Sequence, residues 1–293
     1  MSFNNEIAIL TRGAAGDVGR ISEHRARVAR IAEHGGTVPT AYREAGQRFD
    51  AWIEASTASP MTALTNAYAD GADEDTLATL RAAALLAETA TAPQLATVRN
   101  SVAPAAYAAL RAAYAPQAVK NYSKLAEQYN STAAEFVRLA QIIDPETDAK
   151  NLVSADEETR RAWLEQELIA GKLDALTSIL ADAAILAGTN VNSEPAMIGL
   201  LADPRTAHRR RVWEAWTSNG RCGKWSALIA LDVHLRAANL DEHRPYREPR
   251  PLETQHIRGN VGVRSVTIDP EDDDPTANVQ LRDGEAFVTV LGI

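Results

Sequence analysis

The chain has 293 residues, 45% of them hydrophobic and 24% charged, with a formal net charge of −9. That balance is ordinary for a soluble globular protein with room for one large domain or two smaller ones, and its acidity disfavours bulk attraction to nucleic acid or anionic membranes. Cys222 is the only cysteine, which excludes an intrachain disulfide and a thiolate metal cluster.

No run approaches the roughly 18 apolar residues of a membrane span. The start, Met1-Ser2-Phe3-Asn4-Asn5-Glu6, lacks the basic-then-apolar layout of a signal peptide, so synthesis in a reducing cytosol is expected. The basic residues include only five lysines (Lys120, Lys124, Lys150, Lys172 and Lys224); with abundant alanine, this suggests a GC-rich, actinobacterial type of coding sequence.

Residues from about Glu6 to His34 alternate apolar and charged positions at helical spacing. Val18, Ile21, Val28 and Ile31 line one face, and Arg20, Arg25, Arg27 and Arg30 crowd the others. Gly35-Gly36 ends this helix, because glycine takes positive φ without steric cost. Thr37 is the expected cap of a second helix with Tyr42, Phe49, Trp52 and Ile53 on one stripe. Shorter helices follow, bounded by Ser59-Pro60, Asp70-Gly71, Ala92-Pro93 and Ala103-Pro104.

From Tyr107 to Ile143 aromatic residues recur at Tyr107, Tyr114, Tyr122, Tyr129 and Phe136, and Leu110, Leu125 and Leu139 each follow one of them by three positions. This is an a/d seam with one residue inserted near Pro116, where a break or kink is expected; such a seam lays a narrow stripe against another helix. Asp144-Pro145 ends it. Ser154 and Glu157 have capping-box spacing for the next helix, which carries Trp163, Leu164, Leu168, Leu173, Leu176, Leu180 and Ala184, stops near Gly188 and suits the role of antiparallel partner. Short helices are expected around Met197 to Leu201 and Arg205 to Trp216, then a buried helix from Lys224 to Leu240.

Asp241 to Asn260 contains Pro245, Pro249 and Pro251, which forbid a regular helix and suggest an extended arm. Strand patterns follow at 261–268, 277–281 and 286–291, with Asp283-Gly284 as a hairpin turn. The acidic loop Asp269-Pro270-Glu271-Asp272-Asp273-Asp274-Pro275 separates the first two. Strands this short cannot bury enough apolar surface alone. They must pack on the helical body or reach a neighbouring chain and add to its sheet. The expected organisation is a helical body over 1–240, a proline-rich extended arm over 241–260 and a small β unit over 261–293. The fold class is mainly α, an antiparallel helical bundle with an arm and a C-terminal β hairpin.

Ile7-Ala8-Ile9-Leu10, followed by Gly13, Gly16 and Gly19, is similar to the start of a short-chain dehydrogenase, in which a first strand enters a glycine turn and a helix that holds the cofactor pyrophosphate. The resemblance covers about thirty residues, and it departs from the family in its even glycine spacing. It also departs in lacking a tyrosine four residues before any lysine.

Metal-ligand spacing is no better met. Glu23-His24 and Glu33-His34 belong to no H-E-x-x-H, Glu253 and His256 sit in the proline-rich stretch, and the acidic loop lacks the glycine and terminal glutamate of an EF-hand. Cys222, between Gly220 and Gly223, would need a neighbouring base to act as a nucleophile. His208-Arg209-Arg210-Arg211, with Trp213 and Trp216, has the chemistry of a nucleic-acid contact. In an acidic chain, pairing of these arginines with carboxylates and packing of the tryptophans is favoured instead, and the acidic loop of a neighbouring subunit is one such partner.

The expectation is therefore a non-enzymatic assembly subunit that contacts copies of itself or other protein subunits, without cofactor, metal, membrane or nucleic acid. Candidate contact residues are Tyr107, Tyr114, Tyr122, Tyr129 and Phe136 of the seam, Arg209, Arg210 and Arg211 of the basic run, Asp272, Asp273 and Asp274 of the acidic loop, and Phe287 of the last strand. In style and composition the whole chain, with its helical body, arm and β tail, resembles a virion component, a capsid-associated or minor tail protein of an actinobacterial phage. The alternatives are a small-molecule enzyme with a pocket lined by the tyrosine stripe, and a divergent dinucleotide-binding oxidoreductase.

Overall fold

The computed structural model describes residues 3–57, 59–259 and 262–272. It is mainly α-helical with two small antiparallel sheets, which is the expected class. By contacts it falls into two compact units: Met1–Leu125 with Asp182–Thr189, and Ala126–Ala181 with Asn190–Ile293.

Unit 1 contains α1 (Phe3–Glu33), α2 (Thr40–Thr57), α3 (Pro60–Ala69), α4 (Glu74–Thr89), α5 (Ala92–Asn100), the first part of α6 (Ala103–Ile142) and the last turn of α7 (Glu157–Leu186). The anticipated face of α1 is the buried one. Ile21 and Val28 join Tyr42, Ala45 and Phe49 of α2 and Leu110, Tyr114 and Ala118 of α6 in one apolar cluster, with Leu186 packed against it. Gly35, at φ +84°, ends α1 as its freedom from a Cβ allows, and the Gly36 N–H returns to the Ile31 carbonyl. The strand that a dinucleotide fold requires at Ile7–Leu10 lies inside α1, so that alternative loses its only motif.

Thr37 does not cap α2, which begins three residues later. Its backbone is instead held by Asn121, which accepts from the Thr37 N–H at 2.8 Å and donates to the Thr37 carbonyl at 2.9 Å. Nor does Pro116 divide the seam helix: α6 is a single helix of 40 residues with the proline inside it, so the missing N–H is absorbed as one lost bond in a long ladder.

Unit 2 begins with the remainder of α6 and the larger part of α7. Asp156, rather than Ser154, caps α7 by accepting from the Thr159 N–H at 2.7 Å. Gln166 of α7 donates to the Ile143 carbonyl at 2.8 Å, just beyond the end of α6. In unit 1 the end of α7 packs through Leu186 against the apolar cluster that α6 helps to form. Then come α8 (Glu194–Leu201), β1 (Ala202–Asp203), α9 (Arg209–Trp216), α10 (Gly223–Ala230), β2 (His234–Leu235), β3 (Glu253–Gly259) and β4 (Gly262–Ile268).

The expected helix from Lys224 to Leu240 stops at Ala230. Asp232 takes φ +57°, and the chain turns into β2, which pairs with β1 through Ala202–Leu235 and Asp203–His234. The buried centre of unit 2 is Trp225, stacked edge-on against Tyr129 at 6.1 Å and against Trp216 at 6.4 Å, with its indole N–H donating to Asp174 at 3.0 Å.

The C-terminal hairpin among the described residues is β3–β4, with Glu253 opposite Ile268 and Gly259 opposite Gly262. Its first strand lies in the stretch read as an arm. Residues 241–252 do lack helix, yet they do not reach away from their own unit. The Tyr246 N–H donates to the Pro195 carbonyl at 2.7 Å, the Tyr246 hydroxyl to the Arg209 carbonyl at 3.2 Å, and the His243 ring meets the Ala196 carbonyl at 2.9 Å. Tyr246 and His243 are the side chains that pin this segment, so the proposed reach towards a neighbour is corrected to a fold-back. The strands at 277–281 and 286–291, the Asp283-Gly284 turn, Asp273, Asp274 and Phe287 lie outside the described residues.

Candidate functional site

The basic run at the start of α9 finds its acidic partner within unit 2. Arg210 grips both oxygens of Asp269, through Nε at 2.5 Å and Nη2 at 3.0 Å, and Nη2 also donates to the Arg250 carbonyl. Arg209 meets Glu271 at 2.5 Å, Arg250 meets the same carboxylate at 3.2 Å, and His208 Nε2 lies 3.0 Å from Asp272. These partners hold both carboxyls below the usual range, the Arg210 guanidinium for Asp269 and the Arg250 N–H for Glu271. The opposite charges seen in the sequence thus meet in cis, which corrects the expectation that the acidic loop pairs with another subunit. Arg211 is exposed.

His208, Asp269 and Asp272 bring three potential ligand atoms within 4.8 Å of one another. The donor set fits a cation poorly. Both Asp269 oxygens are already taken by Arg210, and a second guanidinium stands on the adjacent residue. The cluster is a salt-bridge network that fixes the turn after β4 on α9.

Beside this network lies an open cleft of about 700 Å³. Its lining brings five arginines, Arg205, Arg209, Arg236, Arg244 and Arg247, against three carboxylates, Asp203, Glu242 and Glu271. Asp203 is matched by Arg236 at 3.1 Å, and Glu271 by Arg209. Arg205 reaches only a highly exposed Asp232 at 3.7 Å. Arg244 donates to the His243 carbonyl at 2.8 Å. Neither Arg244 nor Arg247 has a carboxylate within ion-pair distance among the described residues.

The cleft floor is set by backbone. Arg236 and Ala238 N–H groups donate to the Leu201 and Leu200 carbonyls. At Gly199 the returning segment passes so close that an added Cβ would lie 2.0 Å from the Arg244 carbonyl oxygen. Arg205 adopts φ +50°, a left-handed conformation uncommon for a residue with a side chain. Such departures concentrate where a site requires them.

The seam residues are not available to a partner. Tyr114, Tyr122, Tyr129 and Phe136 are buried and Tyr107 is half-buried against the unit 1 core. The Tyr114 hydroxyl meets Asn121 at 2.8 Å, and that of Tyr129 donates to the Leu201 carbonyl at 2.8 Å. Tyr107 and Tyr114 pack edge-on around His24, whose Nδ1 lies 3.2 Å from the Tyr42 hydroxyl. The stripe is packed as core, so it offers no exposed seam to a partner.

Cys222 lies in a tight nest rather than a reactive site. The Glu146 carboxylate accepts from the N–H groups of Arg221 (3.0 Å) and Cys222 (3.3 Å) and from the Ser226 hydroxyl (2.6 Å). Burial raises this carboxyl, but those donors and the Arg221 charge outweigh it and hold it below the usual range. Burial pushes the Cys222 thiol up to about 11, so it stays protonated and a poor nucleophile at neutral pH.

One surface went unnoticed in the sequence. Helix α3 buries no residue and α4 buries only Ala84, while Met61 (48%), Tyr68 (76%), Leu85 (62%) and Leu86 (69%) are exposed to solvent. The signal was present in the uncharged sequence of α3. Among the described residues, no helix is long and apolar enough to cross a membrane. Compared with known protein families, curated proteins and solved structures, the chain matches none of them.

Proposed function

We propose that this protein is a non-catalytic assembly subunit that associates with a second copy of itself through the α3–α4 hairpin. The observation that carries this reading is the exposure of Met61, Tyr68, Leu85 and Leu86 on two helices that bury almost nothing. A ten-residue helix such as α3 is marginal in water without a covering surface, and large apolar side chains exposed on two paired helices suit an interaction site.

A two-fold interface must complement itself. The apolar side chains of the face are uncharged and α3 carries no charged residue, while α4 adds Arg81 among Glu74, Asp75 and Glu88 at its two ends. Glu74 and Asp75 in the first turn and Glu88 in the last leave the middle of α4, with Leu85 and Leu86 near its end, as the apolar part that two copies would share. Paired hairpins would form a four-helix bundle, the ordinary way to close such faces. A capsid-associated or minor tail protein would use such a face in this way, and that identity is part of the proposal.

Light scattering on the purified chain tests it. The expected mass is that of two chains, falling to one when Leu85→Glu and Leu86→Glu are combined, with the melting of the monomer's helices preserved. A wild-type monomer at tens of micromolar overturns the reading.

A further inference from the structure

Assembly through α3 and α4 makes no use of the arginine cleft in unit 2. We propose that this cleft binds a small polyanion of the phosphate-ester class, gripped chiefly by Arg244 and Arg247. Three observations converge. The lining brings five arginines together with three acidic residues in a chain whose overall balance is acidic, so the local excess of positive charge runs against the bulk.

The pairing is also uneven. Asp203 and Glu271 are committed to Arg236 and Arg209, whereas Arg244 and Arg247 are exposed and meet no carboxylate among the described residues. Guanidinium forks without a carboxylate partner at a concave wall, Arg244 with one N–H spent on the His243 carbonyl, suit the bidentate oxygens of phosphate better than any neutral ligand. The third observation is shape. At about 700 Å³ the cleft falls in the range of small-molecule sites, and its wall is positioned rather than loose. The Tyr246 N–H and the His243 ring fix the segment that carries both arginines, and the strained Arg205 turn forms another edge.

The acidic turn gives the same chemistry in miniature. Glu271 reaches the cleft lining and is held there by Arg209 and the Arg250 N–H, a carboxylate already occupying one part of a basic surface. Arg244 and Arg247, which meet no carboxylate among the described residues, form the rest of that surface.

Calorimetric titration of the full chain with inorganic tripolyphosphate at low salt tests the proposal. One saturable site per chain is expected, weakened at least tenfold when Arg244→Ala and Arg247→Ala are combined. Both side chains are exposed, and an unchanged thermal melt confirms that this variant folds. The control is Arg160→Ala with Arg161→Ala, which removes the same charge from the exposed face of α7 and should leave binding intact. No saturable binding, equal loss in the control, or a response to an oligo-aspartate peptide but not to tripolyphosphate each overturns the proposal. The hairpin variant Leu85→Glu/Leu86→Glu should still bind, so failure of one site is read separately from failure of the other.

Discussion

Asn121 shows how much one buried amide can settle. It replaces the cap expected at Thr37 by bonding both backbone groups of that residue, and it meets Tyr114 and Gln117 as well. Asn121→Ala leaves these groups unmatched at once, and a loss of about 2 kcal/mol in urea unfolding is expected. His24 makes a different demand. Burial, with Arg111 and Arg27 nearby, lowers its imidazole to about 4, so the folded state holds it neutral while the unfolded state protonates it below the ordinary value of 6.5. The contribution is complete above that value and is lost as pH falls towards 4. Between pH 7 and 5 the wild type should lose more stability than His24→Phe, as measured by denaturant midpoints. Sequence spacing placed His24 on α1 but gave no sign that three tyrosines from two other helices would enclose it.

At the scale of elements, periodicity reports that a stripe is buried without saying what buries it. The spacing of Tyr114, Tyr122, Tyr129 and Phe136 correctly marked a helix and a covered face, but the cover is this chain. Local punctuation was legible for the same reason that it is local: Gly35 and Gly188 both take positive φ where a helix was expected to stop. The end of α10 was not legible, because Asp232 adopts its left-handed conformation with no glycine to announce it. Nor was the docking of 269–272 on α9, since some sixty residues separate the partners and charge alone does not choose between cis and trans. Arg210→Ala removes the bidentate grip on Asp269 and the bond to Arg250 together. Limited proteolysis is expected to cut faster after residue 250 in that variant, while the helical circular dichroism stays unchanged.

The α3–α4 hairpin is specified by its turns rather than by a core. Asp73 caps α4 through the Thr76 N–H at 2.8 Å, and Gly71 makes the corner at φ +72°. Asp73→Ala should lower local stability, because the Thr76 N–H loses its cap. Amide exchange across 74–86 should quicken on dilution as well as on this substitution, because association would supply what the cap does not.

For the molecule as a whole, the two proposed surfaces obey different physics and lie in different units. Association through the exposed apolar side chains of the hairpins should survive 0.5 M salt, which also screens the carboxylates of α4, whereas ion capture by arginines should weaken steeply between 50 and 500 mM as screening shortens to a few ångströms. Measuring mass and tripolyphosphate binding across that range checks both. The mainly helical class was legible from composition and period. The division into units was not, because α6 and α7 each contribute to both and no linker marks the boundary.

The close pass at Gly199 offers a handle of another kind. A methyl group there would act as a wedge under the Arg244 carbonyl, lifting the wall of the cleft without touching a guanidinium or altering the charge of −9. Gly199→Ala is thus a displacement experiment. It would shift Arg244 and its neighbours off their seat while leaving every one of them present, so that any ligand depending on their spacing would dissociate.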